Sequence, residues 1–318
     1  MRHPKSIFLT LLLACLPLFG QASPSEQLWQ ALVLEQQGRF EDAIREVRPL
    51  AESHQLNGVE LGRAFIMLGF AYRGEGEISA ARSAFEQSLH ILGPDGEHLG
   101  DYASALDNYA ALFSDAGQFD IARPMWLKAF LLREQIGDHA AAARSLLNLA
   151  GLALARKHLH EARDYLKEAS GEMKLASDAT DGDSILFLET QAWLALAERR
   201  VPAAIAGFQQ ALEICKRVYG DEHWLTGWEY MLRGKAFAQS GEISRAIADM
   251  TKGVAIFDHA LGRKNPKYVF AQLAYAQLLD RAGSHAEAAR LRAVAEQDVK
   301  QLYSSQCAGC TINIAGFQ

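Results

Sequence analysis

One short pattern returns seven times along this chain at nearly constant spacing, and that recurrence restricts it to a repeat architecture. The pattern is a turn residue, an apolar residue two later and an alanine three after that. It occurs as Gly38, Phe40, Ala43; Gly76, Ile78, Ala81; Gly117, Phe119, Ala122; and Gly241, Ile243, Ala246. Gly283, His285 and Ala288 repeat it with a histidine in the apolar place, and degenerate copies run from Lys157 to Ala162 and from Arg199 to Ala204. The alanines at 43, 81, 122, 162, 204, 246 and 288 lie 38 to 42 residues apart.

Each element of the pattern has a physical reason. Glycine takes the left-handed backbone that ends one helix, and a buried alanine lets the next helix come close. Before a turn, Leu68, Gly69 and Tyr72 share one helical face; after it, Phe85, Trp126, Leu166, Phe208 and Met250 each follow a repeat alanine by four residues. A small residue comes three later still, at Ser88, Ala129, Ala169, Ala211 and Gly253. Each unit is therefore two antiparallel helices whose apolar faces need a neighbouring unit to cover them.

The Leu68-Gly69-x-x-Tyr72 run, the turns and the alanine–large–small spacing resemble the tetratricopeptide repeat family over roughly residues 27–303. The period near 42, in place of the usual 34, and linkers such as Gly93-Pro94-Asp95-Gly96 are similar to the kinesin-light-chain variant; HEAT and armadillo repeats share the period but not the turn chemistry. The resemblance implies an all-α, right-handed superhelical solenoid of about seven antiparallel helix pairs. Repeats four and five lack the turn glycine, and Pro124 and Pro202 fall near the starts of second helices, so local irregularity is expected there.

In that family, first helices line a concave groove that holds extended peptides. Counting positions from the turn alanine, the resemblance implies groove asparagines at Asn108 and Asn148, groove arginines at Arg63, Arg73 and Arg144, and groove tryptophans at Trp193 and Trp228. An asparagine amide can donate to and accept from a peptide backbone. Each of these residues also has a plain reading, as a core or solvated side chain. The residues beside the asparagines, Asp107 and Leu147, do not match the basic clamp of cytosolic chaperone-binding members.

The ends differ from the middle. Arg2 and Lys5 precede an apolar run from Ile7 to Phe19, and Gly20-Gln21-Ala22 supplies small residues for cleavage, so residues 1–22 read as a signal peptide. The protein is then exported, periplasmic or secreted; lipidation at Cys15 is the alternative. No later stretch is long and apolar enough to span a membrane. Residues 23–303 form the solenoid. Residues 304–318 form a tail whose Cys307-Ala308-Gly309-Cys310 is expected to close a short disulfide that pins an extended segment onto the solenoid; a redox-active pair is the other reading. Cys215 reads as a buried small residue.

A net charge of −6 gives no basic surface for nucleic acid. No nucleophile–base constellation, phosphate loop or metal motif is present, and the His158-x-His160 pair falls in a degenerate turn. No enzyme activity, cofactor or metal is expected. The expected partner is a protein or extended peptide, with assembly into a larger complex through the convex face or tail as the second reading.

Overall fold

The computed structural model describes residues 23–304 apart from 54, 95, 96 and 264. Residues 1–22, with Cys15, and the tail bearing Cys307 and Cys310 lie outside the described residues. The helices come in pairs: α1 (Pro24–Gln36) and α2 (Phe40–Glu52), α3 (Gly58–Glu75) and α4 (Ile78–Leu92), α5 (Leu99–Asp115) and α6 (Phe119–Ile136), α7 (His139–Ala155) and α8 (Leu159–Leu175). The series continues with α9 (Asp181–Ala197) and α10 (Val201–Val218), α11 (Trp224–Ser240) and α12 (Ile243–Leu261), and α13 (Pro266–Arg281) and α14 (His285–Ser304). These seven pairs and no strand make up the regular structure among the described residues, an all-α solenoid.

The repeated residues hold each pair together. All seven repeat alanines are fully buried, and Phe85, Trp126, Phe208 and Met250 are at most 5 % exposed. The Leu-Gly-x-x-Tyr motif has a direct cause. A Cβ on Gly69 would stand 2.5 Å from Cε1 of Phe85, so the ring of α4 occupies the space that the glycine of α3 leaves. Ser88 Oγ, three residues on, donates to the Gly62 carbonyl at 2.9 Å. Such interdigitation at native packing density leaves no slack for a larger residue.

The turn between first and second helices is left-handed even where glycine is missing. Lys157 and Arg199 take φ of 61° and 60°, the two non-glycine residues with positive φ among those described. Repeats four and five thus keep the family turn at some backbone cost. The prolines do not break their helices either: Pro202 stands in the first turn of α10, and Pro124 lies inside α6, which runs on to Ile136.

Seven pairs suffice to bring the coil back onto itself. The turns of repeats one and two meet the starts of α11 and α13. Phe40 packs edge-on against Trp224 at 6.4 Å, and Lys267 Nζ sits over the rings of Trp224 and Phe40 at 5.3 and 5.8 Å. Asn265, buried, donates through Nδ2 to the Gly74 carbonyl at 3.1 Å. His223 caps α11 by accepting from the Leu225 amide at Nδ1, which leaves its Nε2 to donate to the Gln36 carbonyl. Burial lowers the His223 pKa, which favours this neutral form.

Gly76 stands in this closure. Its φ is +79°, and a Cβ there would lie 2.7 Å from Cγ of Pro266, whereas Gly241, at φ +85°, has open space around the same position. Gly241→Ala should cost about 1–2 kcal/mol of backbone strain alone. Gly76→Ala should cost about 1–3 kcal/mol more, because the Pro266 contact must yield as well. Urea midpoints of the two variants check this; equal losses would mean that the closure adds nothing to stability.

Candidate interaction face

First helices of neighbouring repeats touch directly, α3 with α5 and α7 with α9 among them, while no two second helices pack to a comparable extent. The odd-numbered helices therefore line the inside of the coil, and the even-numbered helices form its outer wall.

The arginines of the inner face act between repeats. Arg63 donates through Nε and Nη2 to the two carboxylate oxygens of Asp101 at 2.7 and 2.9 Å. Arg144 reaches Asp183 at 2.8 Å, and Arg73 reaches Asp115 at 2.6 Å. Each acid stands 38 to 42 residues downstream, one repeat further on. Burial opposes ionisation of Asp183, but hydrogen bonds from Arg144 and Thr180 outweigh it and hold the carboxyl below its usual range. The outer wall repeats the device with Arg123 and Glu161 at 2.6 Å. The three guanidiniums that counting placed in the groove are thus engaged as staples between adjoining first helices. Pairs with at least one exposed partner each contribute modestly, and their number helps fix how the repeats are set against one another.

The two asparagines differ. Asn108 Nδ2 donates to the Ser104 carbonyl one turn back in α5 at 2.9 Å. Asn148, half-buried on α7, has no hydrogen-bond partner among the described residues, so its amide remains open to a ligand. Between them lies a buried network. Asp107 pairs with Arg133, both nearly inaccessible, and accepts from Ser145 Oγ at 3.0 Å, while Arg133 donates to the Ala141 carbonyl at 2.8 Å. Burial pushes the Asp107 carboxyl up to about 6 despite the guanidinium beside it. This pair locks α5, α6 and α7 together, and removing either partner would leave a buried charge.

The two tryptophans converge on a residue that motif counting did not single out. Trp228 of α11 donates through Nε1 to Oε1 of Glu189 on α9 at 3.1 Å. Trp193, one turn beyond Glu189, packs edge-on against Phe208 at 5.6 Å and carries Lys235 Nζ 4.9 Å from its ring centroid. Burial raises the Glu189 carboxyl to about 7, with hydrogen bonds from Trp228 and Trp193 drawing it back. Glu189 shares a face with Trp193 at a spacing of four, and that spacing was the available signal. On sequence alone a helical glutamate reads as solvated.

At the closure, Lys267 faces Arg73, Asp115 and Glu75; burial and the Arg73 charge push its pKa down to about 8. Cys215 is fully buried, and burial raises its thiol, the state of an inert core residue. Among the described residues no group of three or more side chains is arranged to hold a metal, and no helix is long and apolar enough to cross a membrane.

Family models described as tetratricopeptide repeat match residues 101–170 and 192–225. These two segments are tetratricopeptide repeats. Among solved structures, this tetratricopeptide solenoid is similar to a Rap protein complexed with competence and sporulation factor, with a TM-score of 0.65 and 13% identity over 88% of this chain and 77% of that one. The apo form of RapI gives a TM-score of 0.60 and 14% identity over 87% of this chain and 99% of the other. A tetratricopeptide repeat protein from Parabacteroides merdae gives 0.50 and 14% over 89% and 98%. At these identities the likeness shows the fold. No curated protein matches the chain. A tetratricopeptide solenoid is a scaffold for protein–protein interaction, and that coarse role holds here.

The raised Glu189 carboxyl has a measurable consequence. A group whose folded pKa lies above its unfolded value adds stability below the unfolded value and loses it as pH rises through the folded one. For Glu189 that window runs from near 4.5 to about 7. Glu189→Gln keeps an acceptor for Trp228 and lacks the titration, so the variant should gain melting temperature on wild type between pH 5 and pH 8. Parallel melting curves across that range would contradict the burial of this carboxyl.

Proposed function

We propose that the protein is a non-catalytic scaffold, exported to the bacterial envelope or beyond it, that holds an extended segment of a partner protein against the inner face of its coil. The observation that carries this reading is the pairing, on α7, α9 and α11, of an open asparagine amide at Asn148 with the Trp193–Glu189–Trp228 cluster. A side-chain amide that can donate to and accept from backbone, on the same inner face as two indoles, suits an extended peptide better than a folded surface. Asn108 belongs to the same face as a supporting residue, and Arg63, Arg73 and Arg144 shape it by fixing the repeats. The signal-like segment at residues 1–22 supports export. In the Rap structure a fold of this kind is complexed with competence and sporulation factor, which illustrates what such a coil can hold.

A second reading has its own observation. Ile121, Leu131 and Ile136 of α6, Leu175 of α8 and Val218 of α10 are between 41 and 63 % exposed on the outer wall. Apolar side chains so placed suit assembly into a larger complex through the convex face.

Pull-down from the native source separates the two. A chain carrying Asn148→Ala and Trp228→Ala should lose its bound partner, while one carrying Leu131→Ser and Leu175→Ser should retain it. The reverse result would transfer the interaction to the outer wall.

A further inference from the structure

Charge on the inner face is matched nearly everywhere. Arg63, Arg73 and Arg144 each face an aspartate, and Lys267 lies in reach of Asp115 and Glu75. Two carboxyls of the first helices are not matched in this way among the described residues: Glu35, buried on α1, and Glu189, at the junction of repeats five and six. Glu189 is half-buried there and forms no ion pair among the described residues; Trp228 and Trp193 are the groups that hydrogen-bond to it. Glu229, which follows Trp228 on α11 and is 1 % exposed, has an Oε2 with no hydrogen-bond partner among the described residues. Among the described residues, the one charged group acting on Glu229 is Glu189. Cys215, also buried, feels both carboxyls.

Two enclosed carboxyls without a counter-ion are costly, and the cost falls when a cation arrives. The walls of this site suit a cation too. An indole face attracts positive charge, and the protein already uses Trp193 in this way to seat the ammonium of Lys235. Lys235 does not figure among the groups that act on Glu189. No third acid, histidine or cysteine completes a metal site among the described residues, and two indoles favour an organic cation over a bare metal ion.

We propose that Glu189, flanked by Trp228 and Trp193 and backed by Glu229, receives the ammonium or guanidinium of a lysine or arginine side chain on the partner segment. The inference rests on the inner-face reading above and names its chemistry: the segment is basic at the residue that meets repeats five and six. Asn148, one repeat upstream of Glu189, would then hold backbone of the same segment.

The test uses the full chain and two small probes, N-acetyl-arginine methylamide and its neutral counterpart N-acetyl-norleucine methylamide, followed by calorimetry. The arginine compound should bind saturably in the millimolar range, as expected of a single charged contact, with the neutral compound at least tenfold weaker. Glu189→Gln should weaken the arginine compound at least tenfold. Trp228→Leu, which keeps the carboxyl and removes one wall, should weaken it several-fold and serves if the first variant folds poorly. Equal binding of both probes, no saturable binding of the arginine compound, or unchanged affinity in the variants overturns the inference. Its failure is separable from that of the inner-face reading. A partner that maps to the inner face while the probes ignore Glu189 leaves the groove without the cation site, and the converse leaves the cation site without the groove.

Discussion

A pair of short helices cannot cover its own apolar faces, and every other feature of this protein follows from how neighbouring pairs do it for one another. Within a pair, a large side chain of the second helix enters a gap in the first, as Phe85 does at Gly69, above a fully buried alanine such as Ala81. Because each unit meets the next in a similar way, a small rotation repeats at the six junctions between the seven units. Ion pairs with one-repeat separations, Arg63 with Asp101 and Arg144 with Asp183, hold that rotation on the inner side. The outcome is a coil whose first turns reach its sixth and seventh repeats.

That closure changes the character of the inner face. In an open solenoid, concave residues such as Lys267 and Arg73 would be solvated. Here Lys267 is caught between the rings of Phe40 and Trp224 and close to a second cation, and its pKa falls accordingly. Burial against the next repeat likewise raises the carboxyl of Glu189. Electrostatics inside such a coil are stronger than on an open surface, so an unmatched charge there has more to say about a partner than one on the outer wall.

Much of this was legible in the sequence, and the limits have physical causes. The alanine spacing places all seven turns, including those where Lys157 and Arg199 replace glycine, because the buried alanine constrains the turn more tightly than the turn residue does. Motif counting brings Trp193 and Trp228 to one face, and the structure joins them at one carboxyl. The arginines read as groove contacts because their partners, Asp101, Asp115 and Asp183, lie a full repeat away, where a window of one helix does not look. Glu189 looks like a solvated helical glutamate in sequence, because burial by the next repeat leaves no local mark. The closure itself has no local signal at all: Gln36 and His223 are 187 residues apart, and their meeting depends on the summed rotation of the units between them.

The most direct test of the account is hydrogen–deuterium exchange on the full chain, alone and with the partner isolated from its native source. Binding inside the coil predicts new protection along α7, α9 and α11, centred on Asn148, Glu189 and Trp228, with α6, α8 and α10 unchanged. Protection confined to those outer helices would contradict it.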